Sequence, residues 1–186
     1  VYKPLLRPGL HKLIGFSERV QGLIVAPGNP CGITGLASLA RGKVRFVNRV
    51  RGSGTRVLLD DLLEREGIAA QAIRGYALEE PSHSAVAEAV ASGAADVALG
   101  IAPAAYARGL DFIPVVEERY HLACLKSSLA LAGSQALLGL LRSTAWQKAL
   151  AVLPGYRPVQ SGEVLAMREV LPWWTFRTPK AVPQPT

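Results

Sequence analysis

Apolar positions along this chain change their period several times, and each change marks an element. Residues 19–25, RVQGLIV, hold an apolar run of strand length, and APGNPCG after it reads as a turn-rich crossing. ITGLASLA (33–40) fits a short helix and KVRFVN (43–48) a strand. The clearest helix is TRVLLDDLLEREG (55–67), where Val57, Leu58, Leu62 and Leu63 recur at helical spacing and Gly67 suits the stop. IAAQAIRGY (68–76) predicts a strand, SHSAVAEAVASG (82–93) a helix closed by Gly93, and ADVALGI (95–101) a strand running into a glycine. APAAYARG then predicts a short helix, LDFIPVV (110–116) a strand, and EERYHLACLK (117–126) another strand, with helical patterns following to about Leu153. Strands separated by helices of this length imply βαβ units and a parallel sheet.

From Leu171 the pattern is lost: LPWWTFRTPKAVPQPT has two tryptophans and a phenylalanine, but four prolines and no period. Its aromatics are expected to pack on the body or on a partner chain, and its last residues to be disordered.

Composition narrows the function classes. A chain of 186 residues, 49% apolar and 19% charged, is long enough to bury a core and reads as globular. Its net charge of +7 suits an anionic partner. The basic residues are mostly scattered and aromatics are few, which argues against a nucleic-acid surface. Cys31 and Cys124 form neither a disulfide framework nor a metal spacing, and buried free thiols are the simpler expectation. His11, His83 and His121 follow no ligand spacing, no nucleophile motif is present, and Glu79 and Glu80 are adjacent and so do not share a face. These readings give no catalytic role, no metal and no cofactor. No apolar run spans a bilayer, and VYKPLLRPGLHKL lacks the apolar core of a secretory signal, so a cytoplasmic location is expected, or a periplasmic one if a signal was removed.

One stretch stands apart. RFVNRVRGSGTR (45–56) ends a strand in polar residues and glycines just before the clearest helix. A helix N-terminus presents unpaired N–H groups and the positive end of its dipole. Gly52 and Gly54 let the backbone curl round a small ligand, Ser53 and Thr55 add hydroxyls, and Arg49, Arg51 and Arg56 would supply charge-assisted bonds to oxyanion oxygens. The lysine and spacing of a nucleotide-binding loop are missing. Equally, Ser53 or Thr55 would serve simply as a helix cap.

Three stretches together resemble a known family: RFVNRVRGSGTRVLLDDLL, GYALEEPSHSAVAEAVASGAADVALGIAPAA and GLDFIPVVEERYHL, with RVQGLIVAPGNPCGITGLASLA upstream. They are similar to the periplasmic-binding-protein-like domain of molybdenum metabolism, found fused to helix-turn-helix regulators and to molybdopterin biosynthesis proteins. That domain is related to type 2 periplasmic binding proteins, including tungstate and molybdate receptors. The resemblance covers roughly residues 1 to 160. It implies an α/β, type 2 periplasmic-binding-protein-like fold: two βαβ lobes joined by crossing strands near Ala26–Pro30 and Pro114–Glu118. Residues 27–115 would form the second lobe, 1–26 and 116–170 a partial first lobe, and 171–186 the irregular tail. The family's opening strand, helix and Gly-Ser-rich ligand loop would precede the first residue, leaving the first lobe incomplete at its N-terminus. In tungstate receptors a phenylalanine, a small polar residue and an arginine precede Ser-Gly-Thr, a pattern matched by Phe46, Asn48, Arg49, Ser53, Gly54 and Thr55.

Further candidates follow. Ser82 and His83 stand where the family usually has Thr-His before a helix; a cap and a surface histidine are the alternative. Gly100 ends a strand where a backbone amide can meet a ligand, or where the chain simply turns. Tyr120, on the inter-lobe strand, offers a hydroxyl, or packs at the hinge. Together these predict a non-catalytic sensor domain that closes on molybdate, tungstate or a related small oxyanion, with a fused or absent DNA-binding domain as reader and a homodimer as assembly. The rival readings are a LysR-type effector domain for a small organic anion, and a truncated domain that acts through dimerisation.

Overall fold

A computed structural model describes residues 5–171. The chain folds as two compact units: one holds Glu18–Glu118 and Ala151–Arg157, and the other holds the segment up to Ser17, Arg119–Leu150 and the segment from Pro158. Two long strands, β1 (His11–Val25) and β5 (Asp111–Leu125), carry the chain from one unit into the other. Trp173, Trp174 and Phe176 of the tail lie outside the described residues.

The unit around Glu18–Glu118 is built on a mixed sheet in the order β3-β2-β4-β1-β5, where β2 is Phe46–Arg49, β3 Glu79–Glu80 and β4 Val97–Ile101. β2 is parallel to both β3 and β4, whereas β1 is antiparallel to β4, with Gln21 opposite Ile101 and Val25 opposite Val97. Parallel neighbours require crossovers, and α1 (Gly54–Arg65) and α2 (His83–Ala91) supply them. The strand period of two then sorts the core. Leu23, Val25, Phe46, Val97 and Leu99 pack with Leu59 and Leu63 of α1 on one face. Ile24, Val47 and Ala98 pack with Val86, Ala87 and Val90 of α2 and with Ala104 and Ala105 of α3 (Ala102–Tyr106) on the other. Each such leucine or phenylalanine contributes about 1.5–3 kcal/mol by leaving water. Arg45 and Asp96 clamp the start of this arrangement: Arg45 donates its N–H and its guanidinium to the Asp96 carboxylate, and those bonds hold Asp96 below the usual carboxylate range.

Residues 68–76, expected as a strand, form a short 3-10 turn at Ala70–Ala72 instead. The segment still runs beside β2, since the carbonyls of Arg74 and Leu78 accept from Phe46 and Asn48. Of its apolar side chains only Ile73 is well buried, and Gly75 takes a positive φ against the Phe46 backbone. Regular pairing is thereby delayed to Glu79–Glu80. The helix expected at 33–40 is a 3-10 helix over Leu36–Ala40, and the two strands expected at 110–116 and 117–126 are one continuous strand, β5.

In the other unit β1 pairs with β7 (Val164–Leu165). Ile14 packs with Leu138 and Leu141 of α4 (Ala132–Arg142), beside Phe16 and Trp146, whose ring centroids are 5.3 Å apart. Trp146 opens α5 (Thr144–Ala151) near its start. A small cluster of Leu13, Leu165 and Met167 holds α6 (Met167–Val170).

Candidate functional site

β2 and β4 end at the same edge of the sheet, and α1 and α2 both begin there. That edge is where a ligand would meet N–H groups. Ahead of α1 the chain turns through Val50–Ser53, and Ser53 donates its N–H to the Val50 carbonyl at 3.2 Å. Gly52 takes φ +85° in this turn, a conformation that L side chains resist. Ser53 is the N-cap: its backbone is extended and its Oγ accepts from the Arg56 N–H at 3.3 Å. The N–H groups of Gly54 and Thr55 therefore have no acceptor within the helix. A Cβ placed on Gly54 would meet no atom within 4 Å, so the space in front of this turn is open.

The arginines of the stretch divide sharply. Arg56 is buried and faces its own helix and β3, donating to both oxygens of Asp60 at 3.2 and 3.3 Å and to Glu79 at 3.1 Å. It also lies 4.3 Å over the Tyr76 ring, and the Tyr76 hydroxyl donates to Asp60. Burial works against its charge, but Tyr76 and Asp60 outweigh that and leave its pKa raised. Arg51 is exposed and pairs with Glu79 at 3.5 Å. Asn48 is buried and occupied at both ends, its Nδ2 donating to the Tyr76 carbonyl and its Oδ1 accepting from the Arg49 N–H. Arg49 points the other way, to the α2 side, where its Nη2 donates to the Pro81 carbonyl at 3.0 Å.

At α2, Ser82 caps the helix by accepting from the Ala85 N–H at 3.0 Å, and His83 is the first helical residue. Its Nδ1 is buried with no hydrogen-bond partner among the described residues. The imidazole pKa is lowered to about 4, first by burial and then by Arg49 and Arg19, so the ring is neutral at pH 7. A Cβ on Gly100 would stand 3.6 Å from His83 Nδ1 and 2.6 Å from the Ile24 side chain, which explains glycine at the end of β4. Arg49, Ser82, His83 and Gly100 thus gather at one place, next to the Ser53–Thr55 turn. Tyr120 lies in the other unit, partly exposed on β5.

Sequence reasoning passed over Arg19, Gln21 and Glu118. Arg19 is buried and paired with Glu118, and Gln21 Nε2 donates to the same carboxylate at 2.9 Å. The signal was present: Arg19 and Gln21 share the strand face of Leu23 and Val25, so two polar residues continue an apolar stripe. Their partner lies 97 to 99 residues away, beyond any local pattern.

Residues 2–142 match the model of the PBP superfamily domain. The chain belongs to the periplasmic-binding-protein-like (PBP) superfamily. Domains of this kind bind small ligands and are generally non-catalytic. The uncharacterized protein YvgK of Bacillus subtilis is 37% identical over 153 residues, covering 82% of this chain and 49% of that protein. This PBP-like chain thus spans about half the length of that relative. A Clostridium pasteurianum protein, described as lying in the 5' region of a ferredoxin 2Fe-2S gene, is 34% identical over 110 residues, 59% of this chain and 97% of its own. Among solved structures, the regulatory domain of Synechocystis CcmR in complex with 2-PG aligns at TM-score 0.57 and 19% identity, over 72% of this chain and 67% of that one. The sulfate-binding protein SubI of Mycobacterium tuberculosis aligns at TM-score 0.60 and 17% identity, over 78% and 58%. PEB3 of Campylobacter jejuni with bound L-phospholactate aligns at 0.53 and 20%, over 78% and 68%. These likenesses give the fold: mixed α/β, of the type 2 periplasmic-binding-protein kind. Among the described residues no helix is long and apolar enough to cross a membrane, and no group of His, Cys, Asp and Glu is placed to hold a metal ion.

Proposed function

We propose that this PBP-like domain is a non-catalytic sensor or binding domain for a small oxyanion, molybdate and tungstate being the members to which the sequence resemblance points. The observation that carries the reading is the placement of Arg49 and the half-buried His83 beside two serine-capped helix N-termini at one sheet edge. The N–H groups of Gly54, Thr55, His83 and Ser84 would receive the anion's oxygens, and Arg49 would offset its charge. Arg56 and Arg51 would shape the turn through Glu79 and Asp60. The anions carried by the structural neighbours, 2-PG on CcmR, L-phospholactate on PEB3 and sulfate on SubI, support an anion as the ligand class. The regulatory-domain neighbour also supports a DNA-binding domain elsewhere in the protein as the reader.

Thermal denaturation with molybdate, tungstate, sulfate and phosphate in turn tests this. A bound anion at one hundred times its Kd adds about 2.7 kcal/mol of stability. A shift kept in Arg65→Ala, an exposed surface arginine, and lost in Arg49→Ala supports the site, and no shift with any anion sinks it.

A second reading is self-association. β5 is an edge strand whose fifteen residues are all exposed or half-buried, a form that invites pairing with another copy. A monomeric mass in size-exclusion chromatography with light scattering would remove this reading.

A further inference from the structure

A buried hydrogen-bond acceptor with no partner lies at the same sheet edge. Gln21 is fully buried on β1, opposite Ile101, the last residue of β4. Its Nε2 donates to Glu118 Oε2 at 2.9 Å, and Arg19 binds the other oxygen of that carboxylate. A carboxylate only accepts, so the amide cannot turn over: its nitrogen must face Glu118. Gln21 Oε1 is thereby fixed as an acceptor, and it is buried without a hydrogen-bond partner among the described residues.

The sheet shows where Gln21 lies. It shares a face with Leu23 and Val25, which pack with Leu59 and Leu63 of α1. β1 runs against β4, and α1 runs back against β2, so Gln21–Leu23–Val25 and Thr55–Leu59–Leu63 advance in the same direction. They also keep step, since two strand residues rise about 6.8 Å and four helix residues about 6 Å. Gln21 therefore stands at the level of Thr55, on the face of the sheet where α1 presents its first N–H groups.

Resting on the oxyanion reading above, we infer that Gln21 determines specificity by accepting a proton that the ligand itself carries, so that the site prefers a protonated oxyanion, of which hydrogen phosphate is the simplest. Molybdate, tungstate and sulfate carry no proton at neutral pH and would set one acceptor against another. Phosphate at the same pH keeps at least one O–H for Gln21 while its charged oxygens meet Arg49 and the helix N–H groups. Arg19 and Glu118 are positioning residues that hold the amide in its one useful orientation.

Calorimetric titration of the full chain at pH 7.5 with phosphate, sulfate and molybdate tests the inference in three proteins. The wild type is expected to bind phosphate at least about tenfold more tightly than sulfate or molybdate, the scale of one mismatched buried hydrogen bond. In Gln21→Leu the acceptor is gone, and the ratio should fall to near one. Glu118→Gln keeps Gln21 and its volume but lets its amide turn and offer an N–H, so the ratio should fall there too, even if Gln21→Leu does not fold. Sulfate or molybdate binding as tightly as phosphate to the wild type overturns the inference, and so does an unchanged ratio in Glu118→Gln. Both results leave the oxyanion reading standing. Binding of none of the three anions overturns both together.

Discussion

The two helix N-termini at the sheet edge are built alike and furnished differently. Each follows a strand of the parallel part of the sheet, and each is capped by a serine that accepts from the third N–H beyond it. Before α1 stand two glycines, one at positive φ and one facing open space, and the nearest following arginine is turned away into acids. Before α2 stands Pro81, whose carbonyl fastens Arg49, and the helix opens on a half-buried neutral histidine. The α1 end therefore offers bare N–H groups, while the α2 end gathers the cation and the imidazole. Charge near a turn in sequence is a poor guide to charge facing it in space: Arg49, Arg51 and Arg56 lie within eight residues and point to three destinations.

The largest expected effect comes from the arginine that faces away. Arg56→Ala would leave Glu79 and Asp60 without their buried cation and strip the contact over Tyr76. Asp60 is half exposed and eases the loss, so a destabilisation of about 3 kcal/mol is expected, at the low end for a broken buried pair. In a chain of this size that lowers Tm by roughly 6–12 °C. The anion-induced increment in Tm should survive. Its loss would place Arg56 at the ligand after all. Next comes Arg49→Ala, for which that increment, about 2.7 kcal/mol at saturating anion, should vanish while the Tm of the free protein moves by no more than a few degrees. An increment retained in Arg49→Ala would mean that the helix ends hold the anion without this cation.

The histidine separates the two ends by pH. His83 titrates near 4 in the folded chain and near 6.5 unfolded, so the unfolded state binds more protons between those values. Its contribution is complete above pH 6.5 and is lost as pH falls toward 4. Since the ring is only half buried, the loss should be about 2 kcal/mol rather than the full value of the shift. Denaturant midpoints measured from pH 7 to 4 should fall less in His83→Gln than in the wild type. Parallel profiles would show that the ring is more exposed than its place beside Gly100 implies.

Much of this fold was legible from apolar spacing. The run of leucines placed α1 at 55–67 against an observed Gly54–Arg65, and the glycine-ended run at 95–101 contains β4. Family resemblance brought Arg49, Ser53, His83 and Gly100 into view, and all four lie at the shared sheet edge. What local pattern could not carry was partner choice. Ile73 looked like the centre of a strand, yet the regular pairing falls on Glu79 and Glu80, where apolar period is silent. Asn48 looked like a ligand contact, but both ends of its amide serve neighbouring backbone. Arg19, Gln21 and Glu118 needed a strand nearly a hundred residues away to become a network. Short-range apolar order records where a chain must be helix or strand, whereas polar pairing is decided by which strands end up adjacent.

The smallest effects concern the caps themselves. Ser53→Ala and Ser82→Ala each remove one side-chain acceptor from the third N–H of a helix, at a cost of about 1 kcal/mol. The two sites lie on different helices and share no printed bond, so the double variant should cost about the sum. Neither hydroxyl is expected to touch the anion, because each is turned back to its own helix. The N–H groups that would bind it, those of Gly54 and Thr55 and of His83 and Ser84, are untouched by these substitutions. Anion affinity should therefore hold within about twofold in both single variants, even as Tm falls by a few degrees. If instead Ser53→Ala weakens binding tenfold and Ser82→Ala does not, the Ser53 hydroxyl itself reaches the ligand. The two ends would then differ in their chemistry as well as in their surroundings.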